Sequence, residues 1–313
     1  MKFALSTNWC NRNCDDGAAI AEMALDLGFD ALELGFRTMP QEVPGYKSMS
    51  ARIPVGSVHA FCPVPVSAPE GHPELYTLAS TDCDARAIAR INVAKNIRFA
   101  SSMGADTVVL HAGRIPLGSF FSRGVTSSSL HEKLSDCSFD TAARKYASAL
   151  EKAKRLRRKR GGKMLEIFYG ELDALLPVLE KESVTLAFEN LPYLEGFPDE
   201  TEMDAILAKY PSSPFKAWFD TGHHRVREMH GWLDDSDKEA LARTMEAGVS
   251  GMHLNDVKDY FDDHFAPGGG KVDFAVLKPL AARLPHVVFE PKSHVDKETL
   301  RKSVAFMRKL WED

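Results

Sequence analysis

Eight short apolar runs alternate with helical periodicity along this chain, and most of them end in the same kind of residue. The runs are Phe3 to Ser6, Ala31 to Leu34, Ser57 to His59, Thr107 to His111, Thr185 to Glu189, Ala217 to Asp220, Gly251 to Leu254 and Val287 to Glu290. At or near their C-terminal ends stand Glu33, His59, His111, Glu189, Asp220, His253 and Glu290. A strand buried on both faces is ordinarily apolar throughout, and an unpaired buried charge is expensive. So many polar ends therefore call for a shared partner. Strands that alternate with helices pair in parallel, and closing eight of them into a barrel brings their C-terminal ends to one face. The pattern predicts an α/β protein, a (β/α)₈ barrel, with a cation collected at that face.

The junctions agree with this. Leu27-Gly28-Phe29-Asp30-Ala31-Leu32-Glu33-Leu34 and Met103-Gly104-Ala105-Asp106-Thr107-Val108-Val109-Leu110-His111 repeat one theme, a helix ending on glycine and then a short apolar strand. Glycine at such a C′ position suits positive φ. Helical periodicity predicts helices over 15–27, 82–103, 140–160, 200–209, 236–247, 274–283 and 297–311. With 313 residues, 44% of them hydrophobic, a single domain over 1–313 is the economical expectation.

The interval from His111 to Thr185 is longer than one helix needs, and 114–180 is read as a helical insertion after the fourth strand. It holds a polar loop from Arg114 to Asp136, a helix ending in the basic run from Lys152 to Arg160, a Gly161-Gly162 break and a second helical stretch. The basic run reads as a solvated helix end that complements the macrodipole, with a phosphate or nucleic-acid contact as the alternative. The insertion itself reads as a cover for the site or as an interface in a homo-oligomer.

A net charge of -5 argues against a strongly basic nucleic-acid surface. No apolar run approaches the roughly 18 residues of a membrane span. The opening Met1-Lys2-Phe3-Ala4-Leu5-Ser6, followed by Asn8 and Arg12, lacks the apolar core and cleavage site of a signal peptide. Cys10, Cys14, Cys62, Cys83 and Cys137 are odd in number and irregularly spaced, which predicts reduced thiols and a cytoplasmic protein.

The densest chemistry lies in Phe188-Glu189-Asn190, Asp220-Thr221-Gly222-His223-His224, His253-Leu254-Asn255-Asp256 and Phe289-Glu290-Pro291. Asp262-Asp263-His264 follows the third of these, and then Pro267-Gly268-Gly269-Gly270. Carboxylates with imidazoles and no thiolate suit Mn²⁺, Zn²⁺, Fe²⁺ or Co²⁺. The glycine run lacks the Lys-Ser/Thr of a phosphate-binding loop and reads as a flexible connection. Arg37 reads as an ion-pair partner or a contact for an anionic substrate, and His224 as outward-facing. Trp9, Phe61 and Trp218 read either as the wall of a sugar pocket or as core.

In these motifs the chain resembles the xylose isomerase-like TIM barrel superfamily, which includes ketose 3-epimerases and the endonuclease IV class of apurinic endonucleases. The resemblance runs from Phe3 to about Glu290 and is weakest over 114–180. It implies that Glu189, Asp220, His253 and Glu290 hold one divalent ion (Mn²⁺, Zn²⁺, Co²⁺ or Mg²⁺), with Glu189 and Glu290 as the proton-transfer pair and His59 and His111 on sugar hydroxyls. The endonuclease class adds two zinc ions, and the residues at its further ligand places are His59, His111, His223, Asp262 and His264. The resemblance implies a metal-dependent sugar or sugar-phosphate isomerase or epimerase. The alternatives are a trinuclear zinc phosphodiesterase acting on abasic DNA and a dehydratase or lyase of keto-sugars or inositol derivatives. A catalytically dead sugar-binding barrel has no reason to keep the whole ligand set. The segment Phe61 to Val66, poor in basic residues, counts against a DNA wedge.

Overall fold

A computed structural model describes residues 1–10, 16–118, 125–135 and 140–312. The strands are β1 (Ala4–Ser6), β2 (Ala31–Leu34), β3 (Val55–His59), β4 (Thr107–Leu110), β5 (Gly113–Arg114), β6 (Thr185–Glu189), β7 (Gly196–Phe197), β8 (Phe215–Asp220), β9 (Val249–Leu254) and β10 (His286–Phe289). The helices are α1 (Gly17–Asp26), α2 (Val43–Met49), α3 (Cys83–Met103), α4 (Ser127–Ser135), α5 (Asp140–Glu182), α6 (Glu200–Lys209), α7 (Thr221–Met229), α8 (Asp235–Ala247), α9 (Lys278–Ala281) and α10 (Lys297–Glu312). Eight strands close a parallel barrel in the order β1-β10-β9-β8-β6-β4-β3-β2, and β5 pairs with β7 in a small antiparallel ribbon at its mouth. All eight predicted barrel strands form.

Alternation along each strand builds the site. Outward residues such as Leu186, Phe188, Phe215 and Phe289 join the main core against the helices. A small inner core holds Ala4, Val109, Ala187, Trp218 and Val288. Two residues further along their strands, these inner positions become Ser6, His111, Glu189, Asp220 and Glu290, one layer nearer the mouth. The inner layer is mostly small because one residue fills it. A Cβ on Gly251 would lie 2.1 Å from the Trp218 ring, so glycine there makes room for the indole directly beneath His253.

Several expectations meet corrections. Gly161-Gly162 does not break the chain: α5 runs unbroken through both, from Asp140 to Glu182. A Cβ on Gly161 would lie 2.2 Å from Arg157 Nη1 and 2.0 Å from Glu202 Oε1, so the glycine permits close approach within the helix. The basic run is therefore not a helix end, and Arg157 within it is buried. Its guanidinium donates to both Glu202 oxygens at 2.7 Å and to the Leu194 and Gly196 carbonyls at 3.1 and 2.6 Å. Those bonds satisfy the charge that burial would otherwise penalise.

Helices α2, α4 and α7 were not read from periodicity. The last starts at the site itself, where Asp220 caps it by accepting from His223 N at 2.7 Å. Gly28 and Gly104 take φ of 92° and 77°, as the two junctions require. Cys10, Cys62 and Cys83 form no disulfide among the described residues. Arg12, Cys14, Asp136 and Cys137 lie outside those residues. No helix in the described residues is long and apolar enough to cross a membrane.

Candidate metal centre at the barrel mouth

The strand ends converge on Glu189, which is buried with four imidazoles close by. Its Oε2 lies 3.1 Å from His59 Nε2 and 3.0 Å from His111 Nε2. Its Oε1 lies 3.1 Å from His253 Nδ1 and 3.4 Å from His223 Nδ1. His253 Nδ1 is also 3.2 Å from Glu290 Oε2 and 3.8 Å from Asp220 Oδ2. On the mouth side, Asp262 Oδ1 lies 2.9 Å from His264 Nε2 and 3.4 Å from His223 Nε2.

Four donor groups result at the mouth among the described residues, each with ligand atoms within 4.8 Å of one another: Glu189, Asp220, His253 and Glu290; His59, His111 and Glu189; His223, Asp262 and His264; and, overlapping the first two, His59, His253 and Glu290. All nine residues singled out from the sequence thus meet at one place.

The far nitrogens of the rings explain their orientation. His59 Nδ1, His223 Nδ1 and His264 Nδ1 face the carbonyls of Ala60, Asn190 and Glu290 at 3.0, 2.8 and 2.7 Å. A carbonyl only accepts, so each of these nitrogens carries the hydrogen, and the neutral ring then turns a lone pair toward the carboxylates. His253 is fixed the other way round. Its Nε2 meets Glu33 at 3.0 and 3.2 Å, and Glu33 accepts from Ser57 Oγ at 2.9 Å. Glu33 is thus the carboxylate behind a ligand-type histidine, an arrangement that orients such rings in metal sites.

With neutral rings, acceptors face acceptors across about 3 Å, which requires a proton or a cation between them. Without a cation, protons take that place. Burial opposes charge on His253, yet Glu290, Glu33 and Glu189 raise its pKa well above the usual value. In the same way Glu189 raises His111 to about 9. Asp220 and Asp262 raise His223 to about 10 against burial. Burial would push Glu189 up, but His253 and His111 hold it well below the carboxylate range. Asp220 moves the other way, raised by burial. A hard, oxygen- and imidazole-rich donor set of this kind fits a divalent cation.

A cavity of about 220 Å³ opens above the cluster. Of the predicted site residues, His59, His111, His223, Asp262, His264 and Glu290 line it, whereas Glu189, Asp220 and His253 lie beneath. Trp9, Phe61 and Trp218 are core, and the aromatic walls are instead Phe36 and Tyr193. His224 sits outside the cavity, against Phe219 and Glu228.

The sequence reading missed Asn8, whose Nδ2 donates to Glu290 Oε1 at 3.1 Å and whose Oδ1 accepts from Arg37 N at 3.2 Å. Asn8 stands just past β1, so the strand-end rule applied there would have found it. It also missed Glu74, which is joined to Arg114 at 2.9 Å, with that guanidinium 3.6 Å over the Tyr193 ring. Burial would raise the Glu74 carboxyl, but His111 and then Arg114 hold it down at about 2. No periodic signal marks these loop residues.

A profile of the xylose isomerase-like TIM barrel family matches residues 21–310. Among solved structures, a D-tagatose 3-epimerase-like protein is 18% identical with a TM-score of 0.66, over 100% of this chain and 97% of its own. The 3-keto-D-glucoside 4-epimerase of E. coli is 14% identical with a TM-score of 0.66, over 99% of each chain. An L-ribulose 3-epimerase is 14% identical with a TM-score of 0.67, over 100% and 95%. At these identities the likeness is one of fold. No curated protein matches the chain. The profile spans nearly the whole barrel, and the chain belongs to the xylose isomerase-like TIM barrel family.

Proposed function

We propose that the chain is a divalent-metal-dependent isomerase or epimerase of a sugar or sugar phosphate. The observation that carries this is the convergence of Glu189, Asp220, His253 and Glu290, from strands adjacent in the barrel, under a cavity of about 220 Å³. That volume is below the roughly 300–1,000 Å³ of drug-sized sites and suits a small substrate. The structural relatives named above as sugar epimerases support the same reading. The four residues would hold the cation, which supplies Lewis-acid polarisation of a substrate carbonyl and acidifies the neighbouring C–H.

The protein's own groups do the rest. Glu290 lines the cavity, held by Asn8, and is placed to exchange a proton with a bound sugar. Glu189, the other half of the proposed proton-transfer pair, lies beneath His59 and His111, so those imidazoles come between it and the cavity and are placed to hold hydroxyls. Phe36 and Tyr193 wall the cavity.

The second and third donor groups favour another reading, a trinuclear zinc phosphodiesterase acting on abasic DNA. Metal content decides between them. Elemental analysis of protein purified without chelator, with a ketose screen and the Glu290→Gln variant alongside, is expected to find about one divalent ion per chain and turnover that the variant lowers by about 10²–10⁴. About three zinc ions per chain with cleavage of an abasic duplex overturns the isomerase reading.

A further inference from the structure

The cavity over the donor cluster has a neighbour. Pro192, Tyr193 and Asp262 line both it and a second cavity of about 330 Å³ on the outer side. Aromatic rings dominate the outer one. His230 lies 4.3 Å from Trp232 with the rings 29° apart, His131 lies 4.4 Å from Phe261, and Tyr260 meets His230 edge-on at 5.3 Å. Tyr260 and Phe261 are 42% and 58% exposed, an unusual pairing of adjacent aromatics on the loop that also carries Asp262 and His264.

The lining is not purely apolar, because Ser128 and Glu132 share it. The histidines are already committed to each other: His230 Nδ1 donates to Val226 O at 2.9 Å, so its Nε2 accepts from His131 Nδ1 at 3.2 Å. The groove therefore offers ring faces, the Ser128 hydroxyl and the carboxylate of Glu132. A pyranose matches that mixture, with C–H faces for the rings and hydroxyls for the edges.

We propose that the substrate is two sugar rings long, a disaccharide or glycoside whose reacting unit sits over Glu290 while its second pyranose lies in the groove of Trp232 and Phe261. The linkage passes Tyr193 and Asp262, which both cavities share. This rests on the sugar reading above and extends it to the substrate class.

The test is isothermal titration of the manganese-loaded protein with D-fructose, D-tagatose and four ketose disaccharides: lactulose, isomaltulose, turanose and maltulose. At least one disaccharide is expected to bind about tenfold tighter than either free ketose. The disaccharide-to-ketose affinity ratio is expected to collapse in Phe261→Ala, a change at an exposed position, and to shrink in Glu132→Ala, which removes a carboxylate from the groove lining. No gain for any of the four, or a gain that survives both substitutions, overturns the proposal. So does a nitrophenyl glucoside that binds tighter than every disaccharide, which would mark the groove as a site for an aryl group. Turnover followed in parallel separates the two layers of the argument. Free-ketose turnover without a disaccharide gain removes only the second ring, whereas a groove-dependent gain with no turnover of any sugar removes only the isomerase reading.

Discussion

The floor and the rim of the site are built in opposite ways. On the floor, Glu189, Asp220, His253 and Glu290 sit at the ends of barrel strands, all buried, with His253 braced from behind by Glu33 and Ser57. On the rim, Glu74, Arg114 and Tyr193 come from loops and the short β5 strand, and they meet through a partly exposed ion pair and a cation–π contact. A strand end has its direction set by the barrel, so chemistry placed there needs little from its neighbours in sequence. A rim contact exists only because distant loops arrive together.

The largest expected effect comes from the floor. Glu189 joins two donor groups, so Glu189→Gln is expected to lower bound metal and to cut turnover at least about 10³-fold. Elemental analysis beside steady-state kinetics checks this, and a variant with full metal and wild-type turnover would remove Glu189 from the centre. One layer further back, Glu33→Gln is expected to weaken metal affinity by about 10- to 100-fold while leaving the fold intact. A chelator competition series reads that change, and unchanged affinity would reduce Glu33 to a packing residue.

Protons sharpen the comparison. His111 and His223 are raised to about 9 and 10 in the folded protein, above the ordinary histidine value of about 6.5. A raised folded value means the stabilisation is complete below the unfolded pKa and is lost as pH climbs through the folded one. The metal-free protein is therefore expected to lose thermal stability between about pH 7 and 10, and cation binding at pH 7 to release protons. Melting curves and pH-stat titration measure both. A metal-free protein equally stable at both ends of that range would contradict the histidine–carboxylate network.

The smallest effect belongs to the rim. Arg114→Ala removes an ion pair whose arginine is 40% exposed and is expected to raise KM by about two- to tenfold with kcat nearly unchanged. A fall in kcat as large as that of Glu290→Gln would mean that the rim acts in the chemistry itself.

Much of this was legible beforehand because both barrel and floor obey a short period. The eight apolar runs showed the strands, and the polar residue at each end showed the ligand-type side chains, from Glu33 to Glu290. Asp220 shows where that logic stops: its part as cap of α7 was invisible because Thr221-Gly222-His223-His224 carries no apolar periodicity. Gly161-Gly162 misled for a related reason. Glycine marks a break when it stands alone in a sequence, but here Gly161 lets the Arg157–Glu202 pair close over it.

The sequence by itself determined the strand count, the parallel alternation and the polar strand ends, because side-chain direction in a strand repeats every second residue, whereas His223, Asp262 and His264 lie off the strands and were candidates only through the resemblance. Only the tertiary structure decided which of the nine candidate residues line the cavity, that Glu33 braces His253, that Asn8 holds Glu290, and that an aromatic groove adjoins the cavity at Pro192, Tyr193 and Asp262. Each of those facts is a meeting of residues far apart in the chain, and no local period encodes such a meeting.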